Sequence, residues 1–484
     1  MTARHVEVRR GAYRDSVRLM QISQALRGVP GVSDALVAMA TPLNLDLAAG
    51  MGFTPPDAAP NDMVVAVAAT DDVALAAALA RLDAELRVAP AAPAPGSPDA
   101  PPRTVGSAVR RSGANLVLVS TPGRYAFLDA MDALDAGASV LVFSDNVPVD
   151  QEVRLKEEAG RRGLLVMGPD CGTAVVAGVG LGFANVVRPG PVGLVAASGT
   201  GAQHVMSLLD AAGVGVSHCL GVGGRDLSSA VAGRSTLAAL DALDADGDTD
   251  LVVLVSKPPA PEVAERVRAH AARLATPVVF ALLGLGQPDL TAAVSAVLDR
   301  LGRAVPASWP CWLPDSRPAP RPGGLRGLFA GGTLCDEAMV IASATLGPIR
   351  SNIPLRPEWT SNVDSPHGMV DLGDDELTQG RPHPMIDGTV RLDRFAAEAA
   401  DPSCAAILLD VVLGYGADAD PAAGLAPAIR DARARGVGVV VSLTGTAGDP
   451  QGLNRQAEAL CAAGAAVFAS NADATRYAVG LVTP

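Results

Sequence analysis

Between Asp364 and Asp387 the chain gathers many of the side chains that can move a proton or hold an ion: His367, Asp371, Asp374, Asp375, Glu376, Arg381, His383 and Asp387. The run Pro382-His383-Pro384 is stiff, because each proline restricts the residue before it and fixes its own φ. A histidine held in that way suits proton transfer near neutral pH, and His367 could serve the same purpose. Arg381 offers a fork of donors for an anion. Together with Asp371, Asp374 and Asp375 the two histidines could instead hold a cation such as Mg²⁺, although carboxylates so close in sequence usually splay apart. A solvated loop with helix-start carboxylates accounts for the same residues, and no metal site is assigned.

A second stretch, Gly190 to Gly201, reads as a buried strand over Val192–Ala196 followed by the turn Ser198-Gly199-Thr200-Gly201 and a helix. Free N–H groups at such a helix start, with the helix dipole behind them, bind anions, and glycines let the anion approach the backbone. A simple Ser or Thr cap explains the turn equally well. A third stretch, Gly221 to Ser228, places Gly223 and Gly224 beside Arg225 at another strand end. Cys171 could accept an acyl group or simply pack in the core.

Parallel strands must position these residues. Residues 104–189 alternate strand and helix, with strands at 116–120, 139–143 and 164–167. Their turns expose Ser120, Pro122, Gly123, Asn146, Pro148, Asp170 and Cys171 at strand ends, where parallel sheets take their ligands. Residues 190–305 form a second α/β domain, with strands at 192–196, 215–220, 251–255 and 278–282. Residues 324–484 form a third, with strands at 327–330, 369–371, 405–411, 438–442 and 466–468. The Pro-rich stretches 89–103 and 306–323 read as linkers. Residues 1–88 suggest a small ferredoxin-like module from a β-α-β, β-α order. The expected class is α/β, with several doubly wound parallel sheets.

At 484 residues the chain exceeds one core. A net charge of −13 and 3% aromatic residues argue against nucleic-acid binding. No long apolar run or signal core appears, so no membrane is expected and a cytoplasmic location is. Six scattered cysteines without a CxxC pair fit reduced thiols.

The motifs Thr121-Pro122-Gly123, Asp145-Asn146-Val147-Pro148, Gly168-Pro169-Asp170-Cys171, Ser198-Gly199-Thr200, Gly221-Val222-Gly223-Gly224, Asp371-Leu372-Gly373, Leu413-Gly414-Tyr415-Gly416 and Leu443-Thr444-Gly445 resemble, as a set, the succinyl-CoA synthetase superfamily. Within it, Gly223–Ser228 and Asp371–Pro384 resemble the FdrA proteins. The likeness covers about 104–484. It implies a CoA-binding-type Rossmann-like domain and two flavodoxin-like ligase domains. It implies two helix starts gripping a phosphohistidine, one at Ser198–Gly201 and the other near Gly373–Thr378. The chain departs from that pattern. The loop that should carry the phosphorylated histidine reads Ser256-Lys257-Pro258-Pro259. No ATP-grasp domain or Gly-rich CoA loop is present. Asp374 and Asp375 replace glycines, and would repel a phosphate unless a cation intervenes.

The resemblance therefore implies an enzyme with an acyl-phosphate-type anion site and no phosphate relay. The first expectation is a carbamoyl or acyl transferase of the oxamate type, in ureide catabolism, with CoA or carbamoyl phosphate as substrate. Ser198, Gly199, Thr200 and Gly201 would hold the anion together with Gly223, Gly224, Asp371 and Gly373. Arg225 and Arg381 would add charge, and His383 would move the proton. The alternatives are a nucleoside-diphosphate-forming acyl-CoA synthetase completed by a partner, and a non-catalytic binder of an acyl-CoA or carboxylate. The partners expected are a small carboxylate or acyl substrate, companion subunits and a second copy of the chain.

Overall fold

The computed structural model describes residues 3–12, 14, 16–54, 57–59, 61–87, 102–378 and 382–483. Most of the 89–103 stretch, and Arg381, lie outside these residues. The chain divides into two compact units, Met1–Pro101 and Pro102–Pro484.

The first unit runs β1 (Ala3–Arg9), α1 (Ser16–Arg27), β2 (Val32–Met39), α2 (Pro42–Gly50), β3 (Met63–Ala69), α3 (Asp72–Arg87). All seven residues of β3 are buried, so β3 takes the centre, antiparallel to both neighbours in the order β1-β3-β2. β1 and β2 thus run parallel with a strand between them, the split β-α-β of ferredoxin-like modules with one strand fewer. Leu19, Ile22 and Leu26 of α1 pack on Val65, Val67 and Leu82.

The second unit opens with α4 (Val105–Ser112), β4 (Leu116–Val119), α5 (Gly123–Asp135), β5 (Ser139–Val142), α6 (Val149–Arg162) and β6 (Val166–Met167). The three strands form a parallel sheet in the order β4-β5-β6. The next hairpin, β7 (Thr173–Val176) and β8 (Val179–Gly182), leaves that sheet and pairs with the following one. The boundary expected at 189 therefore falls after the second sheet has already begun. Sequence could not show this, because the pairing of Val175 with Cys219 spans more than forty residues.

The second sheet adds β9 (Pro189–Ala197), α7 (Gly199–Ala211), β10 (Val216–Gly221), α8 (Arg234–Asp244), β11 (Leu251–Ser256), α9 (Pro261–Ala271), β12 (Val278–Leu282) and α10 (Leu290–Arg300). Its order is β12-β11-β9-β10-β7-β8, parallel except at the hairpin. From β9 the chain moves to β10 on one side and then crosses back to β11 on the other. That is a topological switch point, where open α/β sheets bind ligands at the strand carboxyl ends. Ser198 follows β9 and Lys257 follows β11, so both lie at the switch.

The stretch expected as a linker at 306–323 contains an edge strand, β13 (Cys311–Trp312). The third sheet continues with β14 (Gly324–Phe329), α11 (Gly332–Leu346), β15 (Gly368–Asp371), α12 (Asp375–Thr378), α13 (Thr389–Ala400), β16 (Cys404–Val412), α14 (Pro421–Ala434), β17 (Gly438–Thr444), α15 (Leu453–Ala462), β18 (Ala466–Phe468) and α16 (Asn471–Val482). Its order, β13-β18-β17-β16-β14-β15, places a second switch point between β14 and β16.

The two six-stranded sheets do not keep separate cores. Met206 and Leu209 of α7, Val294 and Val297 of α10, Leu334 and Ala338 of α11 and Ala478 and Leu481 of α16 belong to one buried cluster. That packing sets α7 against α11.

Candidate functional site

α7 and α11 start from equivalent places in their sheets, and their first turns touch. A methyl on Gly331 would lie 2.7 Å from Thr200 Oγ1. One on Gly201 would lie 2.9 Å from the methyl of Thr333. Only glycine allows so close an approach at either place. Ser198 Oγ accepts the Gly201 N–H (3.0 Å) and shares a hydrogen bond with Thr333 Oγ1 (2.5 Å). Helix geometry leaves the N–H groups of Gly199, Thr200, Gly332 and Thr333 without intrahelical acceptors. Two positive helix ends therefore converge on one point.

Asp410, fully buried in β16, holds the entry to α11: its two oxygens accept the N–H groups of Ala330 (2.7 Å) and Gly331 (2.8 Å). Arg391 donates to the Asp410 carbonyl (2.7 Å) and balances its charge.

Two further charges face this point. A methyl on Gly332 would lie 2.4 Å from Asp371 Oδ2 and 2.5 Å from Lys257 Nζ. The Lys257 ammonium closes no hydrogen bond or ion pair among the described residues. At about 5 Å and an effective dielectric near 20, an ammonium and two half-charges of helix ends repel by roughly 3 kcal/mol. Carboxylates supply part of the compensation. Burial works against charge on Lys257, but Asp336 and Asp371 outweigh it and raise its pKa. Burial pushes Asp371 up to about 7, against the pull of Lys257 and the Gly373 N–H. Burial likewise pushes Asp336 up to about 6. The junction is not sealed: Gly199, Thr200, Lys257, Gly332, Gly373 and His383 are each partly exposed.

The second helix start is thus Gly331–Thr333, not Gly373–Thr378. Gly373 lies under Ala330 and against the His383 ring, where a methyl would be 2.4 Å from the Ala330 carbonyl and 2.6 Å from His383 Nε2. α12 is a single turn beyond it, with the Asp374 carboxylate accepting the Glu376 N–H. Asp375 begins that turn.

His383 joins the junction from its far side. Its Nδ1 accepts the Met385 N–H (3.2 Å), and its ring packs on Phe183, which packs on Phe143. Burial, with Arg391 beside it and Asp145 opposing, pushes it down to about 4, so it is neutral. His367 accepts the Leu325 N–H at the amino ends of β14 and β15, the opposite end of the strands from the junction.

The expected strand-end crevice forms a neighbouring cluster. Pro122 and Pro148 precede α5 and α6, and Gly123 lies so close to the 145–146 turn that a methyl would be 2.1 Å from the Asp145 carbonyl. Ser120 and Asn146 are exposed, and Asn146 takes a left-handed φ of 52°. Gly223 packs on the Pro169 carbonyl, and Asp170 lies near enough to Gly224 and Lys257 to act on both sides. Arg225 is placed here rather than at the helix junction. It pairs with Glu152 (3.0 Å) and donates to the Val147 carbonyl (2.8 Å). Beneath it Lys156 bridges Glu152 (2.8 Å) and Asp226 (2.7 Å) in full burial. Burial pushes the Cys171 thiol up to about 12, which leaves it inert as a nucleophile.

Lys257 was the residue that pattern reading missed. A lone lysine after a strand carries no motif. Composition did carry a signal: among 38 lysines and arginines only Lys156 and Lys257 are lysine. Both are drawn into charge clusters at strand ends.

The CoA-ligase family matches residues 328–481, and the N-terminal domain of AllF, described as heavy metal-associated, matches residues 1–101. The uncharacterized protein YahF of Escherichia coli K12 is 35% identical over 502 residues, covering 96% of both chains. The α subunit 2 of an ADP-forming succinate–CoA ligase from Archaeoglobus fulgidus is 30% identical over 38% of this chain and 64% of the subunit. The dinucleotide forming acetyl-coenzyme A synthetase 1 of Ca. Korarchaeum cryptofilum, solved with phosphate and ADP, aligns at 17% identity over 76% of this chain and 84% of that one, with a TM-score of 0.28. That score is too low to add to the sheet topology. The sheets and the paired helix starts define a protein of the succinyl-CoA synthetase, or CoA-ligase, superfamily. Within it, the chain belongs to the family of YahF.

The heavy-metal description does not fit the donors present. Residues 1–101 contain no cysteine and one histidine, His5, whereas soft metals select thiolates. Among the described residues no group of three metal-binding side chains assembles. Among the described residues no helix is long and apolar enough to cross a membrane.

Proposed function

We propose that this chain is an FdrA-type transferase that binds the phosphate of an acyl or carbamoyl phosphate between α7 and α11 and passes the acyl group to a small acceptor without a phosphohistidine. One observation carries the reading: at the meeting point of two helix N-termini stands an ammonium that has no ion-pair partner among the described residues. Such a place is suited to an anion. Lys257 stands in the loop where the resemblance expects the phosphorylated histidine, and a protonated lysine cannot accept a phosphoryl group. It can hold one, and stabilise it as it leaves.

An acyl phosphate already contains the activated bond, so no nucleotide is needed. The Asp145–Pro148 and Gly168–Cys171 turns extend the site toward the acyl acceptor or a CoA thiol. Ser198, Thr200 and Gly332 orient the phosphate, which turns a bimolecular encounter into a positioned one.

Purified protein, alone and with the products of neighbouring genes, is to be incubated with carbamoyl phosphate and oxamate. Phosphate release that requires oxamate and no nucleotide is the expected result. ADP formation dependent on CoA would replace this reading with the acyl-CoA synthetase of the succinate–CoA ligase relatives. Binding without turnover under every combination would make the protein a binder of acyl groups.

A further inference from the structure

We infer that an anion arriving at the α7–α11 junction drives a proton onto Asp371, and that Asp371 rather than His383 holds the proton used in transfer. The inference rests on the anion reading above and adds the group that moves the proton.

Asp371 is held rigidly. Its N–H donates to Asn352 Oδ1 (3.0 Å) and its carbonyl accepts from Asn352 Nδ2 (2.9 Å). Its Oδ1 accepts the Gly373 N–H (2.9 Å). The residue is 3% exposed, yet its Oδ2 closes no hydrogen bond among the described residues. That oxygen points at the bare Cα of Gly332, the place where the Lys257 ammonium also points. An anion bound to Lys257 and to the first turn of α11 must therefore lie against Asp371 Oδ2. Two negative oxygens in contact cannot both stay charged, and one takes a proton.

The groups facing Asp371 decide which way its charge leans. Lys257 from the end of β11 is the cation. Asp410 from β16 and Asp374 from the following loop are like charges, and Asp336 and Cys335 lie on α11. An arriving anion adds to the negative side and occupies Lys257, so every change favours the protonated carboxyl. Burial has already brought Asp371 to about 7, within reach of that change. His383 offers no comparable atom: its Nδ1 is taken by Met385 and its Nε2 lies against Gly373.

In the transfer, the acyl carbon–oxygen bond breaks and its electron pair leaves with the phosphate. The acceptor nitrogen forms the new bond to carbon and releases one proton. Asp371 gives its proton to the departing phosphate and takes the one from nitrogen.

The test uses sulfate, a dianion that does not itself titrate near neutrality. Calorimetry of the full-length protein at pH 7.5 in buffers of different ionisation enthalpy counts the protons taken up. Wild type is expected to take up more than about half a proton per sulfate. Asp371→Asn is expected to bind sulfate at least as well with no uptake, and Asp336→Asn to keep the uptake. Difference infrared spectra of wild type should show a carboxylate band lost and a protonated carboxyl band gained, which tests the idea even if Asp371→Asn does not fold. Binding without proton uptake, or equal uptake in Asp371→Asn, overturns this inference and leaves the anion site standing. No sulfate binding at millimolar concentration overturns both.

Discussion

Lys257 and Gly332 meet at the first turn of α11, and each can be altered without disturbing a core. Lys257→Met should weaken sulfate or phosphate binding at least tenfold, or about 1.4 kcal/mol, by titration calorimetry. Gly332→Ala places a methyl where Asp371 and Lys257 converge. The Lys257 end can move, but the Asp371 carboxylate is fixed by the Gly373 N–H, so the melting temperature should fall by a few degrees while the fold, with Gly332 outside the left-handed region, persists. Anion binding should nevertheless be lost, since the methyl occupies the ligand's place. A variant that still bound tightly would move the anion away from α11. At this scale the sequence was legible where types repeat known turns. Ser198-Gly199-Thr200-Gly201 was recognisable because glycine and small hydroxyl residues after an apolar run mark a helix start, and Asp371 because acidic residues and histidines crowd around one strand end. Lys257 was not, because its meaning lies in its position between two helix starts, which only folding reveals.

The helices behind the site are tied together by a buried polar chain. His204 of α7 shares a hydrogen bond with Thr444 (2.9 Å) and accepts the Asn471 N–H (3.3 Å). The Asn471 amide donates to Glu337 of α11 (2.7 Å), and Glu337 also accepts the Leu290 N–H (2.6 Å). Burial pushes Glu337 up to about 7 from an ordinary 4.5. The unfolded chain releases that proton near 4.5 and the folded chain near 7, so the fold loses stability as pH rises between them and no further above. Replacement by glutamine removes that slope. From pH 5 to 8, Glu337→Gln should gain roughly 2 kcal/mol on wild type in denaturant unfolding, whatever its offset at pH 5. A gap that stays constant with pH would show Glu337 already ionised in the fold. Asp410 is the other fixed point of α11. Asp410→Ala leaves Arg391 buried and uncompensated and should cost about 3–5 kcal/mol in the same measurement. Strands and most helices here followed from apolar runs between Gly and Pro. The start of α11 escaped because Gly331-Gly332-Thr333 reads equally well as a turn, while the acidic run at 374–376 looked more like a helix start than the single turn it forms.

For the whole molecule, the division after Pro101 means that residues 102–484 carry the complete helix junction. A chain of those residues should fold and bind sulfate with the affinity of the full protein. Weaker binding would give the N-terminal module a direct part in the site. The number of sheets was legible from strand spacing, but the sharing of strands was not. The β7–β8 hairpin and the edge strand β13 are each too short to announce a partner, and their partners lie far along the chain.

The merged core of the second and third sheets has a consequence for how this gene can be arranged. Interrupting the coding sequence near residues 303–308, between α10 and β13, would yield two polypeptides, the first carrying β1–β12 and the second the whole third sheet, each with one bare flank of leucine, valine and methionine. Neither would be soluble alone, yet co-expression would restore a tight heterodimer with the α7–α11 junction rebuilt at its seam. Fusion into one reading frame thus fixes stoichiometry and removes the search for a mate, and the helix junction lies on the line of that fusion.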